Sequence, residues 1–243
     1  MASARDRRRA GKCVLEGEHL IGVHADRLGA PEVLVIAEDC AARPGIQSLA
    51  SRFDARALLV PAALFADLAT LPAGVGILAL IDVPQPGTRP PADFCLLLED
   101  VQDPGNVGSM LRSAAAAGVT QVYLSRHCAF AWSPKVLRAG QGAQFHLDIH
   151  EDVDLPAWAA AYAESRGSVV AAIASGGSSL YAATLRGRVA LAIGNEGSGL
   201  SPTLRAAATH RVTIPMPGGI ESLNAAAAAA VCLFECVRQR TCR

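Results

Sequence analysis

Three stretches of this 243-residue chain combine glycines with polar side chains in ways a plain turn does not need. The first runs Asp103-Pro104-Gly105-Asn106-Val107-Gly108-Ser109-Met110-Leu111-Arg112. It puts Asn106 near a helix start, and at Gly108 the backbone can be approached closely. Arg112 comes six residues after Asn106, within two helical turns though not perfectly on one face. Taken alone, this reads as a helix cap with a solvated arginine. The second stretch is Ala192-Ile193-Gly194-Asn195-Glu196-Gly197-Ser198-Gly199, directly after an apolar strand. Its glycines expose backbone N–H groups, which is the chemistry of a nucleotide or cofactor cradle. It matches neither the dinucleotide fingerprint nor a phosphate loop, and the acidic residue about 20 positions on that would read a ribose is missing. The third runs from Ile214 to Asn224, where Ser222 and Asn224 are expected to cap the last helix.

The elements that must position these turns are legible as alternating strands and helices. Phe94–Glu99 is almost continuously apolar, as a strand buried on both faces should be. Val107–Ala117 follows as a helix stopped by Gly118. Strands are expected at Val122–Leu124, Val169–Ala174, Val189–Ile193 and Arg211–Pro215. Helices are expected to open at Ser133-Pro134 and Ser201-Pro202, and to cover Asp154–Ser165 and Ser222–Arg238. The alternation predicts an α/β fold with a parallel sheet and helices on both faces. Before it, Val14–Leu28 suits a helix, and Val33–Ala37 and Leu58–Val60 suit strands. The Pro- and Gly-rich stretch Thr70–Asp93 is the natural seam, with Ile77–Val83 a last apolar strand and Pro84–Ala92 the linker. The expected division is therefore residues 1–90 and 91–243.

A hydrophobic fraction of 51% excludes a disordered chain. The 22 basic and 22 acidic residues cancel, so no global field advertises a nucleic-acid partner. Arg5, Arg7, Arg8, Arg9 and Lys12 nevertheless crowd the start, either as a solvated terminus or as an arm for phosphates. The cysteines are Cys13, Cys40, Cys95, Cys128, Cys232, Cys236 and Cys242, odd in number and without a Cys-x-x-Cys pair. They read as reduced thiols of a soluble cytoplasmic protein, since no signal peptide is visible and Ala225–Phe234 is too short to span a bilayer. His146 and His150 fall across a predicted strand and read as structural or surface residues, so no metal site is expected.

In this order the three turns resemble the SpoU (TrmH-type) family of RNA 2′-O-methyltransferases, within the SPOUT superfamily. The first family motif is matched by Asn106, Gly108 and Arg112, and the second by Gly194, Glu196, Gly197 and Gly199. The third is matched by Ile214, Met216, Ser222, Leu223 and Asn224. The likeness covers about 150 residues, and the first unit resembles the ribosomal-protein-like substrate-binding domain of many members, on the loose pattern Glu16-Gly17. The resemblance implies a parallel sheet closed by a deep trefoil knot, which periodicity would never reveal.

The resemblance further implies S-adenosyl-methionine as methyl donor, held mainly by backbone groups around Gly194, Ile214, Met216 and Leu223. Asn106, Arg112, Glu196, Ser222 and Asn224 would form the reaction centre. The family arginine is often called a general base, but a guanidinium essentially never deprotonates in a protein. Arg112 is better cast as a fixed cation beside a phosphate and the developing alkoxide. Direct in-line transfer needs no metal. RNA is the implied partner, ribosomal RNA before transfer RNA, and a homodimer through the last helix is expected. The alternatives are a transfer-RNA methyltransferase and a non-catalytic RNA-binding protein that kept the fold.

Overall fold

The computed structural model describes residues 9–53, 57–70 and 75–241. Arg5, Arg7, Arg8, Pro72, Gly74 and Cys242 lie outside the described residues.

The smaller of two sheets is built from β1 (Lys12–Glu16), β2 (Val33–Ala37), β3 (Ala57–Val60) and β4 (Ile77–Asp82), in the order β1-β4-β2-β3. Helices α1 (Glu18–Leu28), α2 (Pro44–Arg52) and α3 (Ala62–Leu68) accompany it. The helix expected over 14–28 begins only at Glu18. Residues 12–16 are a strand, because Cys13 and Leu15 alternate into the core while the backbone pairs antiparallel with β4. That pairing also commits Lys12, whose ammonium contacts Glu32 and lies 2.7 Å from Asp82, so it is not available to an RNA-binding arm. The apolar strand inside the Pro/Gly seam proves central, lying between β1 and β2.

The larger sheet contains β5 (Phe94–Leu98), β6 (Gln121–Leu124), β7 (Asp148–His150), β8 (Ser168–Ala172), β9 (Ser178–Ser179), β10 (Val189–Ile193) and β11 (His210–Thr213). Its order is β7-β6-β5-β10-β8-β11-β9, and every pairing is parallel. All five residues of β5 and all five of β10 are buried, as strands covered on both faces must be. Successive side chains feed opposite layers. Leu96, Leu98, Leu191 and Ile193 join one core with α4 (Pro104–Ala116) and α8 (Ala225–Thr241). Cys95, Leu97, Ala190 and Ala192 join the other, with α6 (Leu155–Glu164) and α7 (Pro202–Ala207). Each fully buried leucine here contributes about 1.5–3 kcal/mol.

Helix α5 (Pro134–Gly140) packs across α4 at Gly108. A side chain there would sit 2.5 Å from the Ala139 Cβ and 2.6 Å from the Val136 carbonyl oxygen. Gly108 thus serves helix–helix contact, and the close approach is not to a ligand. Helix α8 starts three residues later than expected, at Ala225 rather than Ser222. Six of its residues, Ala229 and Leu233 among them, are buried within the chain, while Phe234 is 48% exposed. The two sheets meet where His24 of α1 abuts Phe145 edge-on, centroids 5.2 Å apart.

Candidate active site

The three glycine-bearing turns converge at the carboxyl ends of β5, β8, β10 and β11, the place where open parallel sheets bind ligands. Asp103 caps α4, its Oδ1 accepting from the Asn106 backbone N–H at 2.8 Å, with Pro104 at the first turn. The cap is therefore Asp103, which leaves the Asn106 side chain free to reach sideways. Its Nδ2 donates to Glu196 Oε1 at 2.9 Å, and its Oδ1 accepts from Nδ2 of Asn224 at 3.0 Å. Asn224 is also the cap of α8, its Oδ1 accepting from the N–H groups of Ala226 and Ala227. Ser222, expected to share that capping, makes no such bond among the described residues.

One hydrogen-bonded chain thus links Glu196, Asn106 and Asn224, one residue from each turn. Partial burial works against the Glu196 carboxylate. The Asn106 amide and the backbone N–H groups of Asp103 and Gln102 outweigh it, and hold its pKa below the ordinary value. Arg112 stands apart from this chain. It is exposed on α4 and has no hydrogen bond or ion pair among the described residues. A free, exposed guanidinium is a ready phosphate ligand.

A cavity of about 420 Å³ opens beside the chain. Gly194, Ile214, Met216 and Leu223 all line it, as do Glu196 and Ser222. Asn106, Arg112 and Asn224 lie outside its lining. A Cβ on Gly194 would overlap the Gly199 carbonyl carbon and the Leu200 nitrogen, so only glycine lets the second turn fold back on itself.

Sequence reading missed the supports of this turn. Asn195 Oδ1 accepts from the N–H groups of Gly197 and Ser198, while its Nδ2 donates to the Asp100 carbonyl at 2.8 Å. Asp100 holds a left-handed backbone, φ 53°, and its carboxylate accepts from the Ser125 hydroxyl at 2.6 Å. Such a conformation costs about 1–3 kcal/mol and persists only where neighbours enforce it. Buried Glu99 accepts from both the N–H and the hydroxyl of Ser201, fixing the start of α7. An Asx residue inside a glycine-rich turn was the one available signal for Asn195.

Among the described residues, no group of three or more His, Cys, Asp or Glu side chains converges as a metal site. His150 instead stacks on Tyr123 at 4.6 Å. No helix among the described residues is long and apolar enough to cross a membrane.

The profile of the SpoU rRNA Methylase family matches residues 93–234. A protein of Synechocystis sp., named an uncharacterized tRNA/rRNA methyltransferase, is 31% identical over 237 residues, covering 96% of this chain and 86% of its own. The 23S rRNA (guanosine-2′-O-)-methyltransferase RlmB of Xylella fastidiosa is 41% identical over 146 residues, and that match covers 60% of this chain and 59% of RlmB. The crystal structure of the SpoU methyltransferase AviRb from Streptomyces viridochromogenes, in complex with AdoMet, superposes with a TM-score of 0.85 at 26% identity, over 98% of this chain and 94% of that one. With its three glycine-bearing turns gathered at one end of a parallel sheet, the chain belongs to the SpoU rRNA methylase family.

Proposed function

We propose that this protein transfers the methyl group of S-adenosyl-methionine to a ribose 2′-hydroxyl of RNA, with 23S ribosomal RNA favoured over transfer RNA. The observation that carries the reading is the Glu196–Asn106–Asn224 chain at the mouth of the Gly194 cavity, with Arg112 unpartnered on α4. Relatives named as 23S rRNA 2′-O-methyltransferases and AviRb with bound AdoMet support the substrate and the donor.

The cavity suits that donor. Its volume of about 420 Å³ falls in the range of cofactor pockets. Ile193, Ile214, Met216 and Leu223 give it apolar walls, and Gly194 offers bare backbone. When bound there, S-adenosyl-methionine supplies an electrophilic methyl on a sulfonium. The protein's task is to bring up a ribose oxygen and let its proton leave. Arg112 pins the phosphate beside the acceptor ribose and stabilises charge growing on the 2′-oxygen. The proton departs through that phosphate or through water, since the guanidinium cannot accept it. Glu196 and Asn224 hold the Asn106 amide in one orientation, so that the first turn presents a fixed polar edge to the ribose. Ser222 contributes a hydroxyl from the third turn to the same cavity wall.

Residues 1–90 form the RNA-selecting unit and residues 91–243 the catalytic one, in keeping with the two sheets. The segment after Thr213 is threaded as a trefoil knot. Insertion of β10 between β5 and β8, and the packing of α8 on α4, support this. Phe234, with half-exposed Ala226, Ala230 and Val237, gives α8 an apolar face for a homodimer. Cys40, Cys95, Cys128, Cys232 and Cys236 carry free thiols, which suits the cytoplasm. Incubation with labelled donor and separate ribosomal and transfer RNA pools tests the function. Label is expected in ribosomal RNA, and label in neither pool overturns the reading. A monomeric mass at micromolar concentration overturns the dimer.

A further inference from the structure

The chemistry above leaves part of the cavity's charged lining without a task. We propose that Arg205 and Glu221 form a two-charge clamp for the amino-acid tail of the methyl donor, Arg205 on its carboxylate and Glu221 on its α-ammonium. The inference rests on the donor reading given above.

The charged side chains lining the cavity are Glu196, Arg205 and Glu221. Glu196 is turned toward the first turn, where Asn106 and the N–H groups of Gln102 and Asp103 engage both its oxygens. One charge of each sign remains. Arg205 projects from α7 and Glu221 from the third turn, so they reach the cavity from separate elements. Both are exposed, and neither side chain has a hydrogen bond or ion pair among the described residues. The structure therefore holds a guanidinium and a carboxylate on one cavity that do not neutralise each other.

The donor has the matching pattern. Its adenosine half is neutral and needs apolar walls and backbone groups, which Ile214, Leu223 and Gly194 provide. Its other half carries a sulfonium, an ammonium and a carboxylate, one net positive charge in all. Two carboxylates and one guanidinium give the lining one net negative charge, so the whole cavity complements the whole donor. A guanidinium fork matches a carboxylate in two parallel hydrogen bonds, and an ammonium beside a carboxylate gains a charge-assisted one. The assignment also explains how a cationic residue is tolerated near a sulfonium: it stands at the anionic end of the ligand.

Calorimetry on the full chain with three ligands tests the clamp: S-adenosyl-methionine, its decarboxylated form, and methylthioadenosine, which lacks the amino-acid tail. Arg205→Ala should weaken S-adenosyl-methionine about tenfold and leave the decarboxylated ligand and methylthioadenosine within about twofold. Glu221→Gln should weaken both ammonium-bearing ligands by a similar factor and spare methylthioadenosine. Methylthioadenosine binding thus reports folding of each variant. Equal losses on all three ligands, or no loss on S-adenosyl-methionine, overturn the clamp while the donor reading stands. If the unsubstituted protein binds none of the three, the donor reading falls and takes the clamp with it.

Discussion

Asn224 and Asn106 are 118 positions apart in the chain, yet Nδ2 of Asn224 donates to Oδ1 of Asn106 at 3.0 Å. Because Asn106 Nδ2 is simultaneously given to Glu196, the amide has one orientation that satisfies both neighbours. Asn106→Asp removes the donor and sets a second carboxylate against Glu196. Turnover should fall on the order of 10²-fold, as when a preorganised polar group is lost from a reaction centre. Donor affinity should stay within a few-fold, since Asn106 is outside the cavity lining. The variant should also raise the Glu196 pKa, now held below 4.5 mainly by the Asn106 amide and backbone N–H groups acting against burial. Stability from this carboxylate is present above its unfolded pKa and lost as pH falls through the folded value. NMR titration of the glutamate carboxyl reads the shift directly.

Gly194→Ala should abolish measurable donor binding. The added methyl meets backbone of Gly199 and Leu200, which cannot swing aside as a flexible side chain would. The turn must open, at a cost of about 1–3 kcal/mol or more. Calorimetry with S-adenosyl-homocysteine checks this, and wild-type affinity in the variant would contradict the backbone cradle.

Gly108→Ala should behave in the opposite way. Its methyl is driven into α5 at Ala139 and Val136, so the melting temperature should drop, by about 1–3 kcal/mol of stability. The folded fraction should still bind donor. Thermal denaturation with and without S-adenosyl-homocysteine separates the two effects.

His24 gives the protein an acid-sensitive joint between its sheets. It is 5% exposed, its Nδ1 has no hydrogen-bond partner among the described residues, and burial lowers its pKa from 6.5. The unfolded chain therefore takes up a proton first as pH falls, and stability should decline below about pH 6.5 until the folded value is reached. His24→Leu should flatten that decline in melting temperature between about pH 7.5 and 5.5. Part of the slope should remain, since burial also lowers His146 and His150.

The doubly buried strands were readable because Phe94–Leu98 and Val189–Ile193 are apolar at every position. The tight second turn was readable too, since its glycines mark bare backbone and a Cβ at Gly194 would overlap Gly199 and Leu200. Helix α2 was not, because Arg43 at its N-cap makes no side-chain capping bond. Strand β1 was hidden as well, since its five residues gain meaning only from pairing with β4. Glu99, Asp100 and Asn195 acquire partners where the ends of β5 and β10 approach, a tertiary event with no local signature. The Asn106–Asn224 bond has the same character: each half looked like a helix-start residue.

The fixed-cation role of Arg112 predicts that Arg112→Lys and Arg112→Ala both lose turnover on the order of 10²-fold, because lysine cannot reproduce the bidentate fork. Donor affinity should barely change in either variant. Single-turnover transfer at close to the wild-type rate in Arg112→Lys would reassign the site among Asn106, Glu196 and Asn224.

In the proposed reaction the methyl group lands on a ribose 2′-oxygen. Alkaline hydrolysis of ribosomal RNA methylated by this protein with labelled donor separates ribose from base methylation, because cleavage requires a free 2′-hydroxyl. Label is expected in alkali-stable dinucleotides that yield a 2′-O-methylnucleoside on enzymatic digestion. Label released in mononucleotides carrying a methylated base would contradict it.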